Sequence, residues 1–151
     1  MKIEINSLKE LKEFTTKLIE CLKGNEIILL YGNLGAGKTT FTKYLVSSIN
    51  PELEDEVNSP TFTVMNIYET EKFTIYHIDL YRVKEFDITD IVGTGIIVIE
   101  WSEYINLEDI DNPVLRIKID MKGDKRVLNI DFNDSYYMKE CLNNYLKGQS
   151  P

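Results

Sequence analysis

The sequence predicts an α/β fold: one domain over residues 1–151, with a central mixed parallel/antiparallel sheet flanked by helices. Three observations predict it. An apolar run, Glu26–Tyr31, leads through a glycine-rich turn into a helical pattern from Thr39 to Ile49, the strand–loop–helix unit of a parallel sheet. Two pairs of alternating runs, 62–68 with 73–79 and 114–121 with 126–132, are each joined by a short polar turn and read as hairpins. Hydrophobic content of 43% and charged content of 28% over 151 residues suit a single packed core.

The elements follow in order. Ile3 and Ile5 alternate with charge and predict a short edge strand. Ser7-Leu8-Lys9-Glu10 has the S-x-x-E spacing of a capping box. Leu8, Leu11, Phe14, Leu18 and Leu22 then line one face of a helix that Gly24-Asn25 ends. This helix covers the sheet; a sharper reading has its N-terminal end bordering whatever the glycine turn binds.

Gly32-Asn33-Leu34-Gly35-Ala36-Gly37-Lys38-Thr39 reads G-x-x-x-x-G-K-T, the phosphate-binding P-loop pattern. Its fixed positions would match by chance in a chain this long on the order of one percent or less. Glycines let backbone N–H groups turn toward phosphate oxygens, and the helix that follows points its positive end at the same place. Residues Gly32 through Thr40 are therefore the nucleotide-binding candidates. Lys38 reaches the β- and γ-phosphates, and the Thr39 hydroxyl suits Mg²⁺.

Residues 51–58 are acidic and punctuated, a loop. Ser59, Pro60 and Thr61 read either as a switch whose hydroxyls sense the γ-phosphate or as a plain turn into a strand. The runs Phe73–Asp79 and Ile96–Glu100 both end in a carboxylate, the form of a Walker B element. Asp79 and Glu100 are the catalytic candidates, since a carboxylate at a strand's C-terminal edge can hold Mg²⁺ or orient water. His77, the only histidine, reads as a space-filling residue, and Trp101 as a packing residue more than a base-stacking platform. Lys84–Val92 suggests a weak helix and Gly93-Thr94-Gly95 a turn. Residues 106–113 form an acidic loop. Lys125 and Arg126, at the second hairpin, could reach a nucleotide but read more as solvated charges. Asp134 or Ser135 caps a last helix carrying Tyr137, Met138, Cys141, Leu142 and Tyr145.

Net charge is −8, which makes the chain a poor candidate to grip nucleic acid alone. Cys21 and Cys141, with one histidine in the chain, point to reduced structural thiols. No apolar run approaches the roughly 18 residues of a membrane helix, and Met1–Ile5 lacks a signal peptide's apolar stretch, so the expected location is the cytoplasm. The guanine-reading N-K-x-D of GTPases is missing, and Asp90-Ile91-Val92-Gly93 follows a weak helix instead of a strand. Arg82, Arg116 and Arg126 form no clustered lid of the kind a small kinase carries over phosphates. That narrows the field to a small P-loop ATPase.

Four segments together resemble the TsaE (YjeE) family: Gly32–Phe41, Ser59-Pro60-Thr61-Phe62-Thr63, Tyr76-His77-Ile78-Asp79-Leu80-Tyr81-Arg82, and Ile99-Glu100-Trp101. They occur in the family's order, and the resemblance spans about residues 7–130. It implies a P-loop ATPase needed to form threonylcarbamoyladenosine beside the anticodon of tRNA. That ATPase is weak and is stimulated by a TsaB–TsaD complex. By the same resemblance Lys38 holds the phosphates, Thr39 and Glu100 are Mg²⁺ ligands, Asp79 serves hydrolysis, Ser59–Thr61 act as a switch and Trp101 packs beside the site. Asn33 stands where an acid is common in relatives, and the stretch from Arg82 to Glu100 is shorter than usual. Two other readings stay open: a stand-alone small-molecule kinase and a non-hydrolysing nucleotide-binding adaptor.

Overall fold

The computed structural model describes residues 1–148 apart from Leu34, Ala36, Thr61, Lys84 and Asp134, and apart from the side chains of Tyr104, Tyr145 and Lys147. Strands β1 (Lys2–Ile5), β2 (Ile27–Tyr31), β3 (Met65–Glu69), β4 (Thr74–Asp79), β5 (Ile96–Glu100), β6 (Val114–Lys122) and β7 (Lys125–Asp131) form one sheet in the order β1-β7-β6-β2-β5-β4-β3. Helices are α1 (Leu8–Cys21), α2 (Lys38–Ser47) and α3 (Tyr136–Gly148). The centre of the sheet, β6-β2-β5-β4, is parallel. The hairpins β3–β4 and β6–β7 and the pair β1–β7 are antiparallel. The mixed α/β sheet expected from the sequence is the sheet observed.

Why the centre is parallel is visible in the residues. β2 and β5 (Ile-Ile-Leu-Leu-Tyr and Ile-Ile-Val-Ile-Glu) bury both faces, as central strands must, whereas β6 and β7 alternate. On one face Ile28, Leu30, Val98 and Leu115 pack against Leu11, Phe14 and Leu18 of α1, Phe41 and Leu45 of α2, and Met138 and Leu142 of α3. On the other, Ile27, Leu29, Ile78, Ile97 and Ile99 are covered by Phe86, Ile88, Ile91, Ile105 and Leu107 from turn-rich chain. Gly95 precedes β5 because the backbone of β4 runs close by: a Cβ there would lie 2.4 Å from the Thr74 carbonyl oxygen.

The α1 cap forms as its spacing predicts. The Glu10 N–H donates to Ser7 Oγ at 3.1 Å, and the Glu10 carboxylate reaches back to the Asn6 N–H at 2.6 Å. At the opposite end of the helical face, buried Glu26 accepts the N–H groups of Lys23, Gly24 and Asn25 at 2.7–3.1 Å and the Tyr137 hydroxyl at 2.5 Å. This ties α3 to the start of β2. Burial, then the adjoining Glu26 carboxylate, pushes the Tyr137 phenol well above its ordinary value.

Several expectations are corrected. Cys21 and Cys141 are not free thiols; they form a disulfide between α1 and α3. Their Cα atoms lie 5.7 Å apart despite a sequence separation of 120, a proximity that only the packing of the two helices creates. Residues 51–56 form a short 3-10 helix, with Pro51 at its start, in place of a loop. The helix expected over 84–92 is replaced by turns among the described residues. The Asp87 carboxylate accepts both the backbone N–H and the hydroxyl of Thr89, a local bond that competes with helix formation. β3 starts at Met65, not Phe62, because the Val64 N–H bonds Pro60 O at 2.6 Å and Val64 takes a left-handed φ of 69°. Phe62 is consequently 85% exposed. Lys84 and Asp134, the expected start of a helix and an expected cap, lie outside the described residues.

Candidate functional site

Strand register brings the two acids together. Across three adjacent parallel strands, Leu30 pairs with Glu100 and Glu100 with Asp79. All three positions lie at the C-terminal edge of the sheet, where open α/β folds bind ligands. The glycine loop leaves β2 at the same edge and enters α2. Gly37 caps α2 in a left-handed conformation, φ 99°, which glycine adopts without strain.

Thr39, in the first turn of α2, places its Oγ1 3.2 Å and 3.4 Å from the two carboxylate oxygens of Glu100. Asp79, one strand further out, is held by two neighbours. Its Oδ2 accepts the Ser59 hydroxyl at 3.1 Å and its Oδ1 the Tyr81 N–H at 2.8 Å. Both acids are buried. Lys38 is buried too; its Nζ donates to Gly32 O at 2.6 Å and lies 3.9 Å from the centre of the Trp101 ring. Desolvation lowers the Lys38 pKa, opposed by the carboxylates of Glu100, Glu103 and Asp79. A cavity of about 380 Å³ is lined by Gly35, Gly37, Lys38, Thr39, Thr40, Ser59, Asp79, Tyr81, Glu100 and Trp101. Larger hollows around Glu85–Thr89 and around Ser135–Tyr136 include no residue of the glycine loop.

The structure thus gathers Gly35, Gly37, Lys38, Thr39, Thr40, Ser59, Asp79, Glu100 and Trp101 around one cavity. Gly32 joins through its carbonyl, whereas Asn33 is exposed on the loop and does not line the cavity. Pro60 is buried, and its carbonyl closes the turn to Val64. Leu34, Ala36 and Thr61 lie outside the described residues. Trp101 is a packing residue, as expected, set against the apolar cluster that includes Leu29 and Ile99, but it is only partly buried. It takes a left-handed φ of 58° immediately after Glu100 and meets Tyr81 in a tilted contact, ring planes 53° apart and centres 5.0 Å apart. For a bulky side chain that backbone geometry is costly and collects at functional sites.

Two residues entered the site that sequence reading had set aside. His77 does more than fill space: its Nε2 bonds Glu100 Oε2. Arg126 is no solvated hairpin charge. Its Nε lies 3.1 Å from where a Cβ on Gly37 would sit and has no hydrogen-bond partner among the described residues. Arg126, the second residue of β7, pairs with Ile5 at the end of β1 and lies on the side of β2 away from Glu100. Nothing in the spacing around Arg126 signals this, since it depends on a strand order that joins the two ends of the chain.

Among the described residues no group of three or more His, Cys, Asp or Glu could hold a metal by itself. A hydroxyl and a carboxylate beside a phosphate-binding loop do fit Mg²⁺, which takes one or two protein oxygens together with phosphate oxygens. Neighbouring ligands at its usual bond lengths sit about 3 Å apart, close to the Thr39–Glu100 spacing. No described helix is long and apolar enough to cross a membrane.

Comparison with known proteins gives the family. The model of "Threonylcarbamoyl adenosine biosynthesis protein TsaE" matches residues 5–128. The tRNA threonylcarbamoyladenosine biosynthesis protein TsaE of Aquifex aeolicus is 43% identical over 102 residues, covering 68% of this chain and 77% of its own. The protein of the same name from Rickettsia felis is 36% identical over 138 residues, covering 87% and 80%. The crystal structure of Bacillus subtilis YdiB superposes with a TM-score of 0.73 at 24% identity, over 99% of this chain and 96% of that one, and shows the same fold. The family match runs through the glycine loop, both strand-end acids and most of the second hairpin, and this chain belongs to the TsaE family.

Proposed function

We propose that the chain is the ATP-binding and ATP-hydrolysing subunit for formation of the threonylcarbamoyl group on adenosine next to the anticodon of tRNA, acting with a TsaB–TsaD complex. The observation that carries this reading is the meeting of Thr39 and Glu100 beneath a phosphate-binding loop, with Asp79 one strand away. Backbone N–H groups of the loop and the N-terminus of α2 take the phosphates. Lys38 exchanges its bond to Gly32 O and its contact with Trp101 for the β- and γ-phosphate oxygens. Thr39 and Glu100 hold Mg²⁺, which when bound neutralises charge building on those oxygens. Asp79 orients the attacking water. Arg126 and the first turn of α1 border the nucleoside end, on the far side of the loop from Glu100.

The hold on Asp79 supports slow turnover by the chain alone. Ser59 and the Tyr81 N–H bond its two oxygens and fix the direction in which the carboxylate faces, so aiming it at a water is eased when the segment carrying Ser59 moves. A partner that moves this segment would accelerate hydrolysis. The same observation favours the adaptor as second reading, in which Asp79 is never released. The net charge of −8 supports tRNA being held by the partners. The test is a reconstituted reaction containing tRNA, ATP, a threonylcarbamoyl donor and TsaB–TsaD, with and without this chain. Repeated rounds of tRNA modification should require the chain and intact Lys38; modification indifferent to the chain would refute the proposal.

A further inference from the structure

His77 is the only histidine of the chain and is fully buried. It sits on β4 two residues before Asp79, so both side chains leave the strand on the same face, toward α2. It pairs in register with Val98, two positions before Glu100 on β5, and its ring reaches diagonally up to that carboxylate. Nε2 bonds Glu100 Oε2, while Nδ1 is buried with no hydrogen-bond partner among the described residues. A carboxylate only accepts, so Nε2 carries the proton. A residue needed only to fill the space would be apolar there, because an unpaired ring nitrogen inside the core is costly. The cost makes sense if the one bond the imidazole does make is needed.

What that bond does follows from the carboxylate's partners. Oε2 accepts the His77 Nε2–H and is 3.2 Å from the Thr39 hydroxyl; among the described residues Oε1 has the weaker approach of Thr39 at 3.4 Å. Without His77 the carboxylate could rotate about its last torsion, which is soft. With it, Oε2 is fixed and both oxygens are held within reach of the Thr39 hydroxyl. We infer that His77 is a positioning residue: its Nε2–H sets the rotation of Glu100 so that Oε1 and the Thr39 hydroxyl are placed to hold one divalent cation together. The inference rests on the preceding reading that Glu100 holds Mg²⁺. Groups that orient a metal-binding carboxylate in this way change metal affinity about 10- to 100-fold when removed.

The experiment measures ADP affinity of the full chain by calorimetry, in EDTA and across a Mg²⁺ titration. It compares wild type, His77→Phe, His77→Gln and His77→Asn. Glutamine places an amide N–H near the position of Nε2; asparagine is too short to reach. The wild-type chain should bind ADP more tightly with Mg²⁺. His77→Phe should keep its affinity in EDTA within about twofold but lose about 10- to 100-fold of the Mg²⁺ enhancement, with His77→Gln recovering most of it. If His77→Phe does not fold, the same comparison is read from His77→Asn against His77→Gln. Full Mg²⁺ enhancement in the variant lacking the donor would overturn the inference alone, as would a glutamine variant no better than that one. A wild-type chain with no Mg²⁺ enhancement would overturn the metal site as well.

Discussion

The Thr39 hydroxyl and the Glu100 carboxylate stand 3.2 Å apart at their closest, although 61 residues separate them in the chain. Two parallel strands produce the meeting. β2 delivers the loop and α2, and β5 ends in the acid beside it. The central chemical claim, a shared Mg²⁺, depends on this pair.

Glu100→Gln keeps the size of the side chain and removes its charge. It should reduce Mg²⁺-dependent ATP turnover roughly 100-fold or more, while ADP affinity in EDTA stays near wild type. Calorimetry with and without Mg²⁺, beside a phosphate-release assay, checks both parts. Equal loss in EDTA would place Glu100 outside metal binding.

Asp79→Asn separates binding from hydrolysis. Nucleotide affinity should stay within about threefold of wild type, since Asp79 lies a strand beyond the loop. Turnover should fall roughly 100-fold, as the neutral amide orients the attacking water less well than the carboxylate. A matched fall in affinity and turnover would contradict the assigned role.

Gly37→Ala must place a Cβ at φ 99°, only 3.1 Å from Arg126 Nε. The left-handed backbone alone costs about 1–2 kcal/mol. Tm should drop by roughly 2–8 °C in a scan of the purified chain. In an Arg126→Ala background the drop should be smaller, because the steric part is gone and only the backbone strain remains.

Tyr137→Phe removes one of four donors to Glu26 and should cost about 1–2 kcal/mol at neutral pH. The pH sign follows from the raised phenol. Folding favours the protonated form, so its contribution is whole below the ordinary value of 10.0 and declines as pH rises above it toward the folded value. Urea melts from pH 8 upward should show wild type losing its advantage over Tyr137→Phe above pH 10.0 and not below it.

What could be read from the sequence is what local pattern encodes. Gly32–Thr39 announced the loop, the apolar runs announced β2 and β5, and Asp79 and Glu100 stood out as acids ending strands. Pattern does not encode register, and register is what decided the rest. His77 reaches Glu100 only because β4 and β5 are parallel neighbours, and Arg126 reaches Gly37 only because β7 pairs with β6 and β6 with β2. The disulfide was misread for the same reason: composition suggested free thiols, and helix packing brought them together. The errors at 62–65 and 84–92 have a different source. There, local bonds within the Pro60–Val64 turn and around Asp87 overrode strand and helix propensity.

The most direct measurement is phosphate release from Mg·ATP by the purified chain, alone and with a TsaB–TsaD complex, with Lys38→Ala as control. Slow release alone, a marked rise with the partners, and loss of both in Lys38→Ala are the predicted results. ATP that binds without any release, whether or not TsaB–TsaD is present, would contradict the hydrolysing role and leave the chain a nucleotide-binding adaptor.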